Sequence, residues 1–324
     1  MNDSTPSSSP LSVDLVIPLY NEEEALSPFH ARLCAALEAL PHAFTIYYVD
    51  DGSSDGTLKQ LEALAAADRR IRVVELSRNF GHQAALTAGL QQTKGDWVVT
   101  LDGDGQHPPD LIGEMLRLGL SGYDIVLTQR VDEEKVSLFK RLTARGFYAL
   151  VNRIGDTQIQ PGAADFRLMS RAAVDALNSM PEYHRFIRGM VAWMGYRSVI
   201  LPYQPPQRLG GRSKYSLRKM LNLASDAVFS FSLVPLYIGI SVGGLFLLLA
   251  LLEAVYVLSF WVTGQQSSLT PGWSSTIFVL LVVGGSLMIT MGLIGMYVGY
   301  IFQEVKRRPV YLVRRILGGE DKDA

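Results

Sequence analysis

Two aspartates one residue apart, Asp102 and Asp104, with the side-chain amide of Gln106 two residues further on, form the stretch of this chain best suited to chemistry. Carboxylate and amide oxygens at this spacing are the hard ligands that magnesium and manganese prefer, and a diphosphate would complete the shell. The apolar, β-branched run Trp97 to Leu101 leads into them and reads as a short buried parallel strand ended by a turn. The acids therefore stand at a strand's carboxyl end, the edge at which open α/β sheets collect ligands. Asp and Gly also build ordinary solvated turns, so the pair alone leaves that reading open.

The elements around the pair narrow the choice. Ser12 to Pro18 reads as a strand running into Leu19-Tyr20-Asn21-Glu22-Glu23-Glu24, where Asn21 suits a helix cap and the acids suit the helix's positive end. Phe44 to Val49 reads as a second strand, closing in Asp50-Asp51-Gly52-Ser53-Ser54-Asp55, with helical periodicity from Asp55 to Ala67. Ile71 to Leu76 is the third, followed by Ser77-Arg78-Asn79-Phe80-Gly81-His82-Gln83 and a helix over Ala84 to Gln92. Four strand-helix alternations predict an α/β fold, a mostly parallel sheet with helices on both faces. One rim then gathers Asn21, Asp51, Asn79, Asp102 and Asp104. Pro109 to Leu120 reads as a further helix and Tyr123 to Leu127 as a fifth strand, ending at Gln129-Arg130.

Thirty Lys and Arg against thirty-one Asp and Glu leave a net charge near zero and no nucleic-acid footprint. The single cysteine, Cys34, excludes an intrachain disulfide framework and suits a reducing compartment. The Ser- and Pro-rich start reads as a disordered tail over 1–11 without the apolar core of a secretion signal. Lys140, Arg141 and Arg145 lie in a helical stretch, either as a solvated face or as an anion site. Asp165, between small residues and an apolar strand-like segment, is costly to bury without purpose. It is either a functional acid or the partner of Arg167 or Arg188.

Pro205 to Lys214 reads as a flexible basic loop containing Arg208, and 213–232 as an amphipathic helix suited to a membrane surface. Leu233 to Val262 and Thr276 to Phe302 are each long enough to cross a hydrocarbon core that takes about 20 residues. Lys and Arg flank the pair on its outer sides, which by the positive-inside rule makes both flanks cytoplasmic. Gly284, Gly285, Gly292, Gly295 and Gly299 give the second span a small-residue face that favours close helix packing or subunit association. The last residues, 304–324, read as a cytoplasmic basic tail.

With these stretches in order, the chain resembles glycosyltransferase family 2. Within it, the chain is similar to the polyprenyl-phosphate (bactoprenol or undecaprenyl-phosphate) glucosyltransferases, relatives of dolichol-phosphate mannose synthase that end in two transmembrane helices. The matching residues are Val16 to Glu23, Asp50 to Asp55, Ser77 to Gly81, Asp102-x-Asp104-x-Gln106-x-Pro108-Pro109, Asp165 to Met169, and Ser213-Lys214-Tyr215. The resemblance implies a cytoplasmic GT-A, Rossmann-like domain over 12–212 and two transmembrane helices over 233–303. It places the protein in the bacterial inner membrane with both termini cytoplasmic, as a homo-oligomer, by family a tetramer. It implies that Pro18, Tyr20, Glu22, Asp51 and Asp102 hold the nucleotide sugar, and that Asp102, Asp104 and Gln106 hold a divalent cation, Mg2+ or Mn2+, on its diphosphate. Asp165 resembles the family's proposed base beside the acceptor, with Asp104 the second catalytic acid, and Arg130, Lys140, Arg141, Arg208 and Lys214 would bind the lipid phosphate. The chain departs from the pattern at Gly103 and Gly105, where relatives often carry bulkier spacers, and at His82, where Lys or Gln is common.

The implied reaction transfers glucose from UDP-glucose to undecaprenyl phosphate, with inversion, for modification of O-antigen or another envelope polymer. N-acetylglucosamine, mannose, galactose and aminoarabinose donors fit similar scaffolds. The acceptor's second phosphate pKa lies near about 6, so Asp165 need not be a strong base. A processive synthase would show Gln-x-x-Arg-Trp, whereas here Trp193 follows Val191-Ala192. A silent nucleotide-sugar-binding module would lack the acids that this chain retains.

Overall fold

The alternating apolar runs become one sheet whose ends gather the polar loops. The computed structural model describes residues 10–131, 163–204, 234–264 and 272–319. Its strands are β1 (Ser12–Leu19), β2 (Ala43–Asp50), β3 (Ile71–Leu76), β4 (Trp97–Thr100), β5 (Ile125–Arg130), β6 (Ala163–Ser170), β7 (Ser198–Tyr203) and β8 (Val313–Leu317). Its helices are α1 (Glu23–Glu38), α2 (Thr57–Ala67), α3 (His82–Gln92), α4 (Ile112–Leu120), α5 (Arg171–Ser179), α6 (Ile187–Trp193), α7 (Val234–Val262) and α8 (Trp273–Lys306). The strand order is β7-β5-β6-β4-β1-β2-β3-β8.

Alternation along β1 sends Val13, Leu15, Ile17 and Leu19 to one face of the sheet and Val16 to the other. Leu26, Phe29 and Leu33 of α1, Leu61 of α2 and Met115 of α4 cover the first face. Leu86 of α3, Val174 of α5 and Met190 of α6 cover the second. With both faces dry, the free surface for ligands is the rim.

The pairing of β1 with β2 and β4, and of β2 with β3, is parallel, as the alternation requires. The first four strand ends therefore face one way, as expected, and the remainder makes the sheet a mixed one. β6 runs antiparallel between β4 and β5, β8 runs antiparallel to β3, and β5 pairs with β7 in parallel. The sheet is therefore the mixed, Rossmann-like GT-A arrangement. The reversal of β6 has a chemical consequence: its register sets Thr100 opposite Arg167. Two residues beyond that rung, β4 runs on into Asp102 while β6 arrives from Asp165. A parallel β6 would have left Asp165 at the far rim.

Pro18 lies in a central strand, normally a poor place for a residue without an N–H. The N–H of Leu101 donates to the Val16 carbonyl at 3.1 Å, and the β4 ladder ends at Val16 opposite Thr100. Pro18 thus stands one rung further on the same edge. Its missing donor falls where β4 leaves the sheet and becomes the acidic loop.

The stretch expected as a basic tail contains β8, which follows the second apolar helix and closes the β3 edge. Glu75, buried in β3, accepts from Arg314 Nη1 at 2.9 Å and from Arg315 Nε, and Arg315 Nη2 reaches Glu62. We predict that Glu75→Gln weakens this closure. Trypsin should cut the native variant at Arg314 and Arg315 under conditions that leave the wild-type strand intact, and equal protection would remove the role of the Glu75 charge.

Among the described residues one segment, Val282–Lys306 within α8, is long and apolar enough to cross a membrane, and none of its most apolar window is buried inside the chain. That is one such segment where two were expected, although α7 is a continuous helix of 29 residues. Among the described residues a Cβ built at Gly284, Gly285, Gly292, Gly295 or Gly299 meets nothing within 4 Å, whereas Gly239 of α7 closely approaches Thr290 of α8. The expected amphipathic helix over 213–232 lies outside the described residues.

Candidate active site

The loops after β1 and β2 are tied to each other by side chains. Asn21 does not cap α1: the cap position is Glu22, whose side chain makes no capping bond, and Asn21 takes a left-handed φ of 53°. In that conformation its Oδ1 accepts the Ser54 N–H at 2.8 Å, while its own N–H donates to Ser53 Oγ at 3.0 Å. The Glu22 N–H donates to Thr57 Oγ1 at 2.9 Å, and Glu23 Oε2 accepts the Gly56 N–H at 2.9 Å. Pro18 is buried in β1, Glu22 is half-buried, and Tyr20 is exposed at the rim.

Asp51 ties in the third loop. Its buried carboxylate accepts the Phe80 N–H on Oδ1 at 2.7 Å and the Gly81 N–H on Oδ2 at 2.9 Å. Burial pushes its pKa up, and the two backbone donors act against that rise. The neighbouring Asp50 is also buried and accepts from Ser53 N–H.

In the acidic loop the two glycines have separate reasons. A Cβ at Gly103 would sit 2.2 Å from Leu19 Cδ2, and Gly105 has a φ of 78°. Asp104 Oδ1 accepts the Gln106 N–H at 3.0 Å, which folds the loop back on itself. The Asp102 N–H donates to Nδ1 of buried His107 at 2.9 Å, and that ring stacks on Phe166 with centroids 5.3 Å apart. Since Nδ1 is an acceptor here, the 3.7 Å approach of Asp102 Oδ2 to it is not a charge pair. Arg130, at the end of β5, donates from Nη1 to Gln106 Oε1 at 3.3 Å.

Asp102 Oδ1 is buried without a hydrogen-bond partner, an expensive state for a carboxylate oxygen unless a cation comes to it. Among the described residues no three His, Cys, Asp or Glu side chains gather as a metal cluster. Asp102, Asp104 and Gln106 thus fit a hard cation that takes the rest of its shell from a ligand such as a diphosphate.

His82, the first residue of α3, joins the two sides of the cleft. Its Nε2 is 3.6 Å from Asp102 Oδ1 and 3.6 Å from Asp165 Oδ2. Burial works to lower its pKa, but the Asp102 charge and the bond and charge of Asp165 outweigh it, and the pKa is raised to about 9. Asp165 itself is buried and meets both arginines that the sequence offered as alternatives. Arg167 Nη2 donates to Oδ1, and Arg188 donates from Nε to Oδ1 at 3.0 Å and from Nη2 to Oδ2 at 2.7 Å. Burial works to raise its pKa, but Arg188, His82 and Arg167 outweigh it and hold the carboxyl well below the usual carboxylate range.

Of the residues expected at the site, the structure brings together Asp102, Asp104, Gln106, Asp165 and Arg130. It sets Asp51, Glu22 and Tyr20 on the adjoining loops, whereas Lys140, Arg141, Arg208 and Lys214 lie outside the described residues. The sequence reading named Arg188 only as an alternative partner of Asp165 and gave no role to His107. The signal for the first was present, because a buried acid requires cations; nothing marked the second.

A mixed α/β sheet with an acidic loop at the carboxyl end of β4 has the layout of the GT-A class of glycosyltransferases. The chain belongs to glycosyl transferase family 2, which its residues 14–177 match. It is 39% identical over 310 residues to an uncharacterized glycosyltransferase of Synechocystis, covering 96% of this chain and 97% of that one. It is 35% identical over 309 residues to the bactoprenol glucosyl transferase of Shigella phage SfII, covering 94% and 98%. Among solved structures, mannosyl-3-phosphoglycerate synthase from Rubrobacter xylanophilus is similar with a TM-score of 0.47 and 21% identity, over 67% of this chain and 71% of that one.

Proposed function

We propose that this glycosyltransferase moves glucose from UDP-glucose to undecaprenyl phosphate at the cytoplasmic face of a bacterial inner membrane, releasing UDP. The observation that carries this reading is the placing of Asp102, whose buried Oδ1 accepts no hydrogen bond, and Asp165, with its arginines, at one end of β4 and β6. The name of the phage relative, similar over 94% of this chain, supports glucose and a prenyl phosphate.

In this reading Tyr20, Glu22 and Asp51 hold the nucleoside, with Pro18 shaping the strand beneath it. Asp102, Asp104 and Gln106 hold Mg2+ or Mn2+, which when bound neutralises charge on the departing diphosphate. A phosphate oxygen of the acceptor forms the bond to the anomeric carbon as the bond to the diphosphate oxygen breaks, with inversion. The nucleophile is already an anion near neutral pH, so the step requires no proton to be taken from it. Arg130 stands at the rim for the incoming phosphate, joined by Lys140, Arg141, Arg208 and Lys214. In this reading the apolar segment Val282–Lys306 of α8 crosses the bilayer, and α7, at 29 residues, is long enough to cross beside it.

The test incubates purified full-length protein with undecaprenyl phosphate, magnesium and a panel of nucleotide sugars, followed by mass spectrometry of the lipid. The expected product is undecaprenyl-phosphate-glucose from UDP-glucose alone. Product from a different donor would overturn the glucose assignment, and no lipid product from any donor would overturn the acceptor.

A further inference from the structure

The loop that follows β3 is held at both ends. Asp51 holds the far end through the Phe80 and Gly81 N–H groups. The near end, Ser77, is held by the chain that emerges from the apolar helix α8. The Ser77 N–H donates to the Leu312 carbonyl at 2.9 Å, and the Ser77 carbonyl accepts from Arg314 Nη2 at 3.1 Å. Both backbone groups of Ser77 are therefore bonded to the segment that runs from Leu312 into β8.

A bulge makes this possible. The pairing sets Glu75 opposite Arg315 and Leu76 opposite Val313, which leaves Arg314 as the extra residue between two rungs. In a regular strand, neighbouring side chains point to opposite faces, and buried Glu75 would meet only one of the two arginines. Here Arg314 Nη1 donates to Oε1 at 2.9 Å while Arg315 Nε donates to Oε2. The two arginines differ in their second partner. Arg315 reaches Glu62 of α2, and Arg314 reaches Ser77. Arg314 thus joins a carboxylate buried in the sheet to the start of the loop.

The same segment is tied to the apolar helix. α8 ends at Lys306 and β8 begins at Val313, so only 307–312 separate them. Within that stretch the Tyr311 hydroxyl donates to Gln91 Oε1 in the last turn of α3, the helix into which the loop leads. A connection this short, pinned at Tyr311, Leu312 and Arg314, has little slack.

We propose that Arg314 is a positioning residue for the nucleotide, ordering the loop from Ser77 to His82 at the end opposite Asp51 and so linking donor binding to the segment that leaves the apolar helix. This rests on the reading given above that Asp51 and its neighbours hold the nucleoside. Arg314 keeps 60% of its side chain exposed, so its truncation leaves the core intact.

The experiment uses full-length protein in detergent micelles, with UDP and magnesium as the probe. Arg314→Ala should weaken UDP binding by about fivefold or more in calorimetry. It should raise the KM for UDP-glucose by a similar factor and leave the KM for undecaprenyl phosphate within about twofold. Arg315→Ala is the control, because it also takes a charge from Glu75 but has no bond to Ser77. It should shift UDP binding by no more than about twofold. Without ligand, amide exchange over 77–82 should quicken in Arg314→Ala and not in Arg315→Ala. Because coupling is reciprocal, UDP should slow prolonged trypsin cleavage of the wild type at Arg314 and Arg315 by about the same fivefold. Equal weakening in the two variants reduces Arg314 to closing the sheet edge and overturns the proposal. UDP binding unchanged in Arg314→Ala overturns it too, as does β8 cleavage indifferent to UDP. A wild type that binds no UDP overturns the donor reading and this proposal with it, a failure seen before any variant is compared.

Discussion

Asp102→Ala should lower glucosyl transfer by about a thousandfold or more while changing the melting temperature little. The two halves of this result come from the same atom. Oδ1 of Asp102 is buried and accepts no hydrogen bond, a cost to the resting protein that its attraction to His82, 3.6 Å away, offsets, so truncation removes both together. The backbone N–H that anchors the residue, bonded to His107 Nδ1, survives the substitution. Asp104→Ala should be as severe for transfer but should also lose about 1 kcal/mol of stability, because Asp104 Oδ1 accepts the Gln106 N–H. If the acidic loop were only a turn, Asp104→Ala would still lose stability, but neither variant would lose turnover beyond that. Mass spectrometry of the lipid product and a thermal melt, run on the same preparations with and without EDTA, separate the two accounts. Activity retained in Asp102→Ala would remove the cation site from the mechanism.

Much of this site was legible because the parallel half of the sheet announces itself. Ile71–Leu76 is a strand with the bounds its β-branched run predicts, and Trp97–Thr100 ends one residue before the predicted Leu101. In each case an Asp, Asn or Gly cluster ends the run. Strand direction is not written in such runs. The segment around Asp165 is apolar enough to read as a strand, but nothing in it states that β6 enters reversed between β4 and β5. β8 was hidden for another reason. Its arginines make it read as a solvated tail, and its partner Glu75 lies 239 residues from Arg314. A close reading of β3 would have asked what an acid does inside an apolar strand, since a buried carboxylate must find a partner. Asn21 shows a limit of local rules: its type suits a helix cap equally well, and only the neighbouring Ser53 and Ser54 decide that it takes the left-handed conformation instead.

Asp51→Ala carries the second large effect, in this case on stability and nucleotide affinity together. The loops after β2 and β3 touch so closely that a Cβ at Gly52 would lie 2.5 Å from the Arg78 carbonyl carbon and 2.6 Å from the Asn79 nitrogen. Gly52 has a φ of 68° and Gly81 of 99°, which glycine adopts without strain, so backbone preference permits these loops without fixing them. The Asp51 carboxylate holds them together through the Phe80 and Gly81 N–H groups. Each such charge-assisted bond is worth about 1.5–3 kcal/mol. The burial that raises the Asp51 pKa offsets part of this, leaving an expected loss of about 2–4 kcal/mol on truncation. Because His82 follows Gly81 directly, the loosened loop also releases the residue that spans Asp102 and Asp165. UDP affinity measured by calorimetry should fall by about a hundredfold, close to 2.7 kcal/mol. Asp51→Asn distinguishes clamp from nucleotide contact, because it keeps one oxygen for the loop but sets an amide NH2 against the other N–H. As a clamp, Asp51→Asn should recover part of the melting temperature and part of the affinity in proportion. A variant that regains full stability without regaining affinity would place Asp51 against the nucleotide itself, and Asp51→Ala protein with wild-type melting and wild-type UDP binding would leave neither role standing.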